Sequence, residues 1–188
     1  MRERGARQVS VLLVMTFVVG CHKTYTVDVD AVNELVPPSL KYRVQFVPRE
    51  IVAGVKREVT YTLPLPKAWN TYGAGAAEPS DKTLEGESWV RVSSSCDSTE
   101  PCVAKDWAAE IDQQTRDSGV DVQRDEHGDH RRVVVGTDRV MKGFTVITVS
   151  WWRDGATEYH WCDAMLAPPE LELAPAFEKA CESVAVHQ

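Results

Sequence analysis

The chain has 188 residues, 43% hydrophobic and 26% charged, with a formal net charge of −7. That length suits one domain with a sizeable core. The acidic balance argues against nonspecific nucleic-acid binding, in which Lys and Arg neutralise phosphates, and against an extended polybasic grip on anionic lipid.

The first segment reads as an export signal. Arg2, Arg4 and Arg7 stand against Glu3, and Val9 to Val19 are apolar apart from Ser10 and Thr16. A basic start, an apolar run of about 7–15 residues and a small residue at the cut mark a secretory signal. A membrane-spanning helix needs about 20 apolar residues, more than this run offers. Val18-Val19-Gly20-Cys21 resembles the bacterial lipobox. The resemblance implies cleavage before Cys21, diacylation of its thiol and acylation of the new amine. Each buried CH₂ adds about 0.8 kcal/mol and one chain anchors only marginally, so multiple acylation would hold the chain on an envelope membrane. Removing residues 1–20 leaves 168 residues and moves the net charge from −7 to −9. The expected organisation is a signal at 1–20, a lipidated Cys21 with a short tether to residue 30, and one globular domain over 31–188.

The elements follow in order. "DAVNELV" predicts one or two helical turns ended by Pro37-Pro38. "LKYRVQFVP" alternates with period two and predicts a half-buried strand with Leu40, Tyr42, Val44 and Phe46 on one face. "REVTYTLPLP" predicts a second strand, with Val59, Tyr61, Leu63 and Leu65 alternating and with Pro64 and Pro66 pushing its end toward an edge. "KAWNTYGAGAAEPSDKTLEGE" reads as a long loop, and "SWVRVSSSC" as a third strand. "AKDWAAEIDQQTRDSG" predicts a helix with Trp107 and Ile111 on its apolar face and Gly119 as its closing residue. A meander follows: "VDVQR" and "RRVVVG" around the tip "DEHGDH", then "FTVITVSWW", the Asp154-Gly155 turn, and "TEYHWCDAML". The last predicted element is a helix. Pro175 fits its first turn, and Phe177, Cys181 and Val184 form one stripe. Hairpin-linked strands with separated helices give α+β, an antiparallel sheet covered by helices.

With Cys21 acylated, four cysteines remain, and four allow three pairings. Exported chains sit where disulfides persist. Spacing favours Cys96–Cys102 across the turn-rich "DSTEP" and Cys162–Cys181 between a strand and the last helix. Zinc is the competing use of such cysteines, but neither pair has the Cys-x-x-Cys spacing.

The strand ending in "YTLPLPKAWN", the later meander and the terminal "AFEKACESV" resemble the PsbP-like sandwich of the extrinsic photosystem subunit and its bacterial lipoprotein relatives. The stretch "SSSCDSTEPCVAKDW" resembles small lipoproteins of myxobacteria-like bacteria. The family implies a noncatalytic accessory or binding domain, and its members do not share one partner.

Candidate chemistry is sparse. Asp125, Glu126, His127, Asp129 and His130 lie within six positions, and His with carboxylate suits zinc or another divalent ion. A solvated hairpin tip accounts for the same letters. The chain has no Gly-x-Ser-x-Gly and no His-Glu-x-x-His. His160, between Tyr159 and Trp161, reads as a sheet histidine rather than a general base. Trp151 and Trp152 are adjacent, so in a strand they face opposite sides. Both are core if both faces are covered; otherwise one joins Trp69 and Tyr72 as a candidate contact surface.

These readings point to a noncatalytic, lipid-anchored envelope lipoprotein that binds a protein partner or supports an assembly. It would need no cofactor and would touch the membrane through Cys21. The alternatives are an immunity protein against an exported toxin, whose basic surface an acidic chain would meet quickly, a metal-dependent hydrolase using His127 and His130, or a glycan binder using Trp69 and Trp151 or Trp152.

Overall fold

The computed structural model describes residues 27–54, 57–80, 88–97, 103 and 105–187. The expected signal, Cys21 and Cys102 lie outside the described residues.

The fold is α+β, with two antiparallel sheets and few helices. Strands β1 (Phe46–Ala53), β2 (Val59–Pro66) and β10 (Ala185–His187) form a three-stranded sheet in the order β1-β2-β10. The seven-stranded sheet runs β3-β4-β5-β9-β8-β7-β6, from β3 (Trp69–Tyr72), β4 (Ala76–Pro79), β5 (Trp89–Ser94), β6 (Val120–His127), β7 (Arg131–Asp138), β8 (Thr145–Trp151) and β9 (His160–Leu166). Helix α1 (Val29–Glu34) precedes β1, α2 (Trp107–Asp117) precedes β6, and α3 (Ala174–Glu182) precedes β10.

Helix α3 packs against both sheets, touching β2 in one and β8 and β9 in the other, through a buried stripe of Ala176, Phe177, Ala180 and Cys181. Its Phe177 is fully buried, with its ring 5.2 Å from that of Phe46 and 5.0 Å from that of Trp69. The expected alternation in β2 holds: Val59, Tyr61, Leu63 and Leu65 are all buried. Val90, Val92, Ile147, Val149, Ala164 and Leu166 face them from the larger sheet. Each such aliphatic or aromatic side chain contributes about 1.5–3 kcal/mol relative to exposure. The Cys162–Cys181 disulfide joins β9 to α3, as the spacing predicts, with Cα atoms 5.4 Å apart.

The two prolines of β2 also find a local edge. β10 pairs only with Thr60 to Thr62, so Pro64 and Pro66 lie beyond its end and face only β1. An absent amide hydrogen is harmless there.

Besides β6, which takes in Asp125–His127 of the expected tip and pairs them with Arg132–Val134, three elements differ from the sequence reading. Residues 40–44 are not strand: the Pro37 carbonyl accepts from Leu40 and Lys41, and the Leu40 carbonyl from Arg43 and Val44. These bonds close locally and leave no ladder to build, so β1 begins at Phe46. Leu40 and Val44 still pack on the core, four residues apart, while Tyr42 is 82% exposed. Second, the expected long loop holds the β3–β4 hairpin. Its Gly/Ala content reflects close backbone approach. The Gly75 amide donates to Val52 at 3.0 Å and its carbonyl accepts from Val92 at 2.8 Å. A Cβ at Gly75 would stand 2.2 Å from the Val92 oxygen, and φ is +80°. Third, Ala185–His187 form β10 after the last helix, a run too short to show a period.

Candidate functional site

A groove of about 1160 Å³ lies between α1, residues 40–45, the β2–β3 turn and the 3₁₀ segment Pro168–Leu173. That volume exceeds the roughly 300–1,000 Å³ of pockets that take small metabolites.

Asn33 positions one wall. Its Oδ1 accepts from the Phe46 amide at 2.8 Å, and its Nδ2 donates to the Phe46 carbonyl at 3.0 Å and the Val29 carbonyl at 3.1 Å. This one amide pairs both backbone groups at the start of β1 and pins α1 beside it. Asp28 caps α1, accepting from the Ala31 amide at 3.0 Å. The local turns of residues 37–44 then carry Lys41, Tyr42 and Arg43 outward. The opposite wall is held by the Lys67 amide, which donates to Gln45 at 2.8 Å, and by Arg49, which donates to the Lys67 and Trp69 carbonyls at 3.1 and 3.2 Å.

The floor and the rim differ in chemistry. Leu40, Val44, Pro66 and Leu173 give apolar surface. Lys41, Arg43 and Lys67 supply positive charge, and Asp30 and Glu34 negative charge; all five are exposed. None of the five forms an ion pair with another described residue. Glu170, at the groove's far side, is half-buried. Burial pushes its carboxyl up while the Ser88 hydroxyl draws it down, and its Oε2 is buried without a hydrogen bond. The groove thus offers apolar length flanked by charges of both signs that have no ion-pair partner among the described residues.

The residues singled out from sequence lie elsewhere or are otherwise engaged. His127 reaches Asp125 at 3.1 Å, while His130 reaches Asp154 at 3.0 Å, so the two rings address different carboxylates. Asp129 is exposed beside them. Among the described residues no three His, Cys, Asp or Glu side chains are placed to hold a metal ion. Asp125 instead serves Arg132, which pairs with it through both Nε and Nη2 at 2.8 and 2.7 Å and also with Asp112. The Arg132 guanidinium holds the Asp125 carboxyl below its usual range.

The aromatic residues divide between the faces of the larger sheet. Trp69 is 4% exposed and packs on Phe177, whereas Tyr72, three residues on, is exposed. Trp151 stacks on His160 with ring centroids 5.8 Å apart. Trp152 packs on the opposite side, against the Trp107, Ile111 and Tyr159 cluster under α2. Both faces at Trp151-Trp152 are therefore covered. His160 accepts or donates at Nδ1 to the Tyr61 hydroxyl at 3.0 Å, joining the two sheets, and burial lowers its pKa. Cys96 is disulfide-bonded, but its expected partner Cys102 lies outside the described residues.

Sequence reasoning missed the groove. The signal available was Pro37-Pro38 followed by Lys41-Tyr42-Arg43: a double proline favours turns, and a turn presents consecutive polar residues. The period-two pattern of the same letters masked it.

No protein family, characterised protein or solved structure matches this chain.

Proposed function

We propose that the chain is a noncatalytic lipoprotein, anchored to a bacterial envelope membrane through acylated Cys21, that works as a binding or accessory domain through the groove beside α1. The observation that carries the binding role is an apolar groove floor rimmed by five exposed charges without ion-pair partners among the described residues. The anchor rests on Val18-Val19-Gly20-Cys21 and the signal before it. No described helix is long and apolar enough to cross a membrane.

The test has two arms. Mass spectrometry of the amino-terminal peptide from the native host should find Cys21 acylated, and the Cys21→Ser chain should move from the detergent phase to the aqueous phase. An unmodified Cys21 would sink the anchor. In the second arm, the wild-type chain should retain an envelope component in stoichiometric amount, and Ala68→Trp, which fills the groove from an exposed position, should release it. Retention unaffected by Ala68→Trp would move the binding site off the groove.

A further inference from the structure

A buried side-chain bond joins the two sheets near the start of β2, the end of that strand away from the groove. Tyr61 on β2 is 0% exposed, and His160, the first residue of β9, is 8% exposed. The Tyr61 hydroxyl lies 3.0 Å from His160 Nδ1. The two rings meet edge-on, and Trp151 of β8, opposite His160 in the ladder, stacks on the imidazole. Helix α3 ends close by. Its Cys181 bonds Cys162, two positions along β9 from His160, and the helix stops at Glu182. Past it, β10 pairs with Thr60–Thr62 of β2. Two side-chain links then hold the small sheet to the larger one here: Tyr61–His160 in the interior, and Arg57–Glu158 at 3.3 Å on the rim.

The groups around His160 decide how it meets a proton. From β2 it faces the Tyr61 hydroxyl, from β8 the Trp151 ring, and from β5 Ser94, its register partner. Glu158 precedes it on its own chain, and Arg57 and Arg153 stand in the connections between β1 and β2 and between β8 and β9. In the same row of the larger sheet, Arg131 of β7 lies opposite Trp151 and is paired with Glu182 of α3. Burial lowers the pKa of His160; Glu158 raises it, and Arg57 and Arg153 lower it, with a net shift downward. An imidazolium here is a charge in a largely dry site, which costs free energy unless it is fully paired. Protonated, both ring nitrogens are donors, so the Tyr61 hydroxyl can no longer donate to Nδ1.

From this interface we propose that His160 is an acid-sensitive clasp, whose protonation loosens β2 and β10 from β8 and β9 at this end while the disulfide and the Phe177 contacts keep the groove end closed. The folded chain binds this proton more weakly than the unfolded chain, where histidine titrates near 6.5. The clasp therefore contributes fully above about pH 6.5, and its contribution is lost as pH falls toward the lower folded value. Asp163, on the opposite face of β9, has its pKa raised and shifts stability the other way with pH, so it does not mimic this loss. The clasp is independent of the groove and of the anchor, and both can fail without touching it.

The experiment is amide hydrogen exchange of the full chain between about pH 7 and pH 5, corrected for the intrinsic exchange rate at each pH. Opening of residues 59–62, of β10 and of the start of β9 should rise below about pH 6.5, by up to about tenfold per pH unit, the limit for one proton. Residues 63–66 and α3 should open equally across the range. His160→Asn keeps a side-chain amide for the Tyr61 hydroxyl and does not titrate, so its opening should be the same at both ends of the range. Opening that rises uniformly over the domain, or a pH dependence that His160→Asn shares with the wild type, would overturn the clasp. Should His160→Asn not fold, the wild type decides by nuclear magnetic resonance. The His160 ring should titrate below the exposed His127 and His130 rings, and the β2 amides should shift with the same midpoint. A His160 midpoint at or above theirs, or β2 amides that ignore it, would equally overturn the proposal.

Discussion

The hairpin end and the groove end of this domain treat charge in opposite ways. Along β6 and β7 the arginines are matched: Arg132 with Asp125 and Asp112, Arg131 with Glu182, and Arg124 with Glu178. Two of these pairs reach across to Glu178 and Glu182 of α3, so the hairpin is tied to the last helix. Around the groove, five exposed charges have no such partner among the described residues. Surface pairs individually contribute about 0–1 kcal/mol, so the contrast matters less for stability than for where unsatisfied charge is presented. A dense acidic run in sequence marks a structural region here, and the sparser mixed charges mark the binding candidate.

The largest expected effect tests what holds the groove end. The Cys162–Cys181 disulfide ties α3 to β9, and α3 supplies Phe177 behind the groove wall. Closing a loop of about 20 residues stabilises by roughly 3 kcal/mol on the chain-entropy model. Cys162→Ala with Cys181→Ala should lower unfolding free energy by about that amount in denaturant titrations. Hydrogen exchange should rise first in α1 and α3. Uniform loosening, with the β6–β7 hairpin exchanging equally, would contradict this division of the molecule.

Breaking the hairpin end comes next. The Arg132 side chain is 7% exposed and bonds two carboxylates. Arg132→Leu should cost about 2–3 kcal/mol, because it removes one partner from a largely buried network. Asp125 has its folded pKa lowered. Its contribution is therefore full above the ordinary aspartate range and lost as pH falls through the lowered value. The penalty of Arg132→Leu, measured by denaturation at several pH values, should shrink as the pH drops below about 4. A penalty constant with pH would show that lost packing, not charge, dominates.

A third effect, of about 2–3 kcal/mol, runs the other way with pH. Asp163 on β9 accepts from the Thr148 hydroxyl at 2.7 Å, and burial pushes its carboxyl up to about 6. The folded state then holds the proton more tightly than the unfolded chain, where aspartate titrates near 3.9. Stability from this group is greatest below about pH 4 and declines as pH rises toward 6. Asp163→Asn should match the wild type at pH 4 and exceed it by about 2–3 kcal/mol at pH 7. Parallel stability curves for the two chains would refute the assignment.

How far the letters led differs between the same two ends. The alternation of Val59, Tyr61, Leu63 and Leu65, the Trp107–Ile111 face of α2 and the Phe177–Cys181 stripe of α3 were legible because burial repeats at the period of the element. The Cys162–Cys181 pair followed from placing one cysteine on a strand and one on the inner face of a helix. Leu40 to Val44 misled because a turn that buries residues four apart shows the same even spacing as a strand. The β3–β4 hairpin was hidden because Gly75 is chosen for contact with the Val92 backbone, which no periodicity records. The groove needed both of these segments in place, so none of its rim charges could be read as a group.

A smaller effect, about 1–2 kcal/mol, would sharpen the groove side. Asn33→Ala removes the acceptor for the Phe46 amide and the donor to its carbonyl, both part-buried. Because α1 would lose its clamp to β1, this change should also weaken whatever the groove binds, although Asn33→Ala leaves all five rim charges in place. Destabilisation without loss of binding would mean that α1 does not shape the site.

The smallest effect concerns the histidine-rich tip. His127 and His130 are exposed and each meets a single carboxylate, Asp125 and Asp154 respectively. Asp125 keeps Arg132 when His127 is removed, and Asp154 is itself highly exposed. Exposed pairs of this kind rarely exceed about 1 kcal/mol. His127→Ala with His130→Ala should therefore change unfolding free energy by less than about 0.5 kcal/mol. Added zinc should raise the melting temperature of neither chain, since a ligand that binds the folded state must stabilise it by mass action. A zinc-dependent rise in the wild type, absent from the double variant, would show that the tip gathers ligands this arrangement keeps apart, and would return the acidic end of the molecule to the list of binding sites.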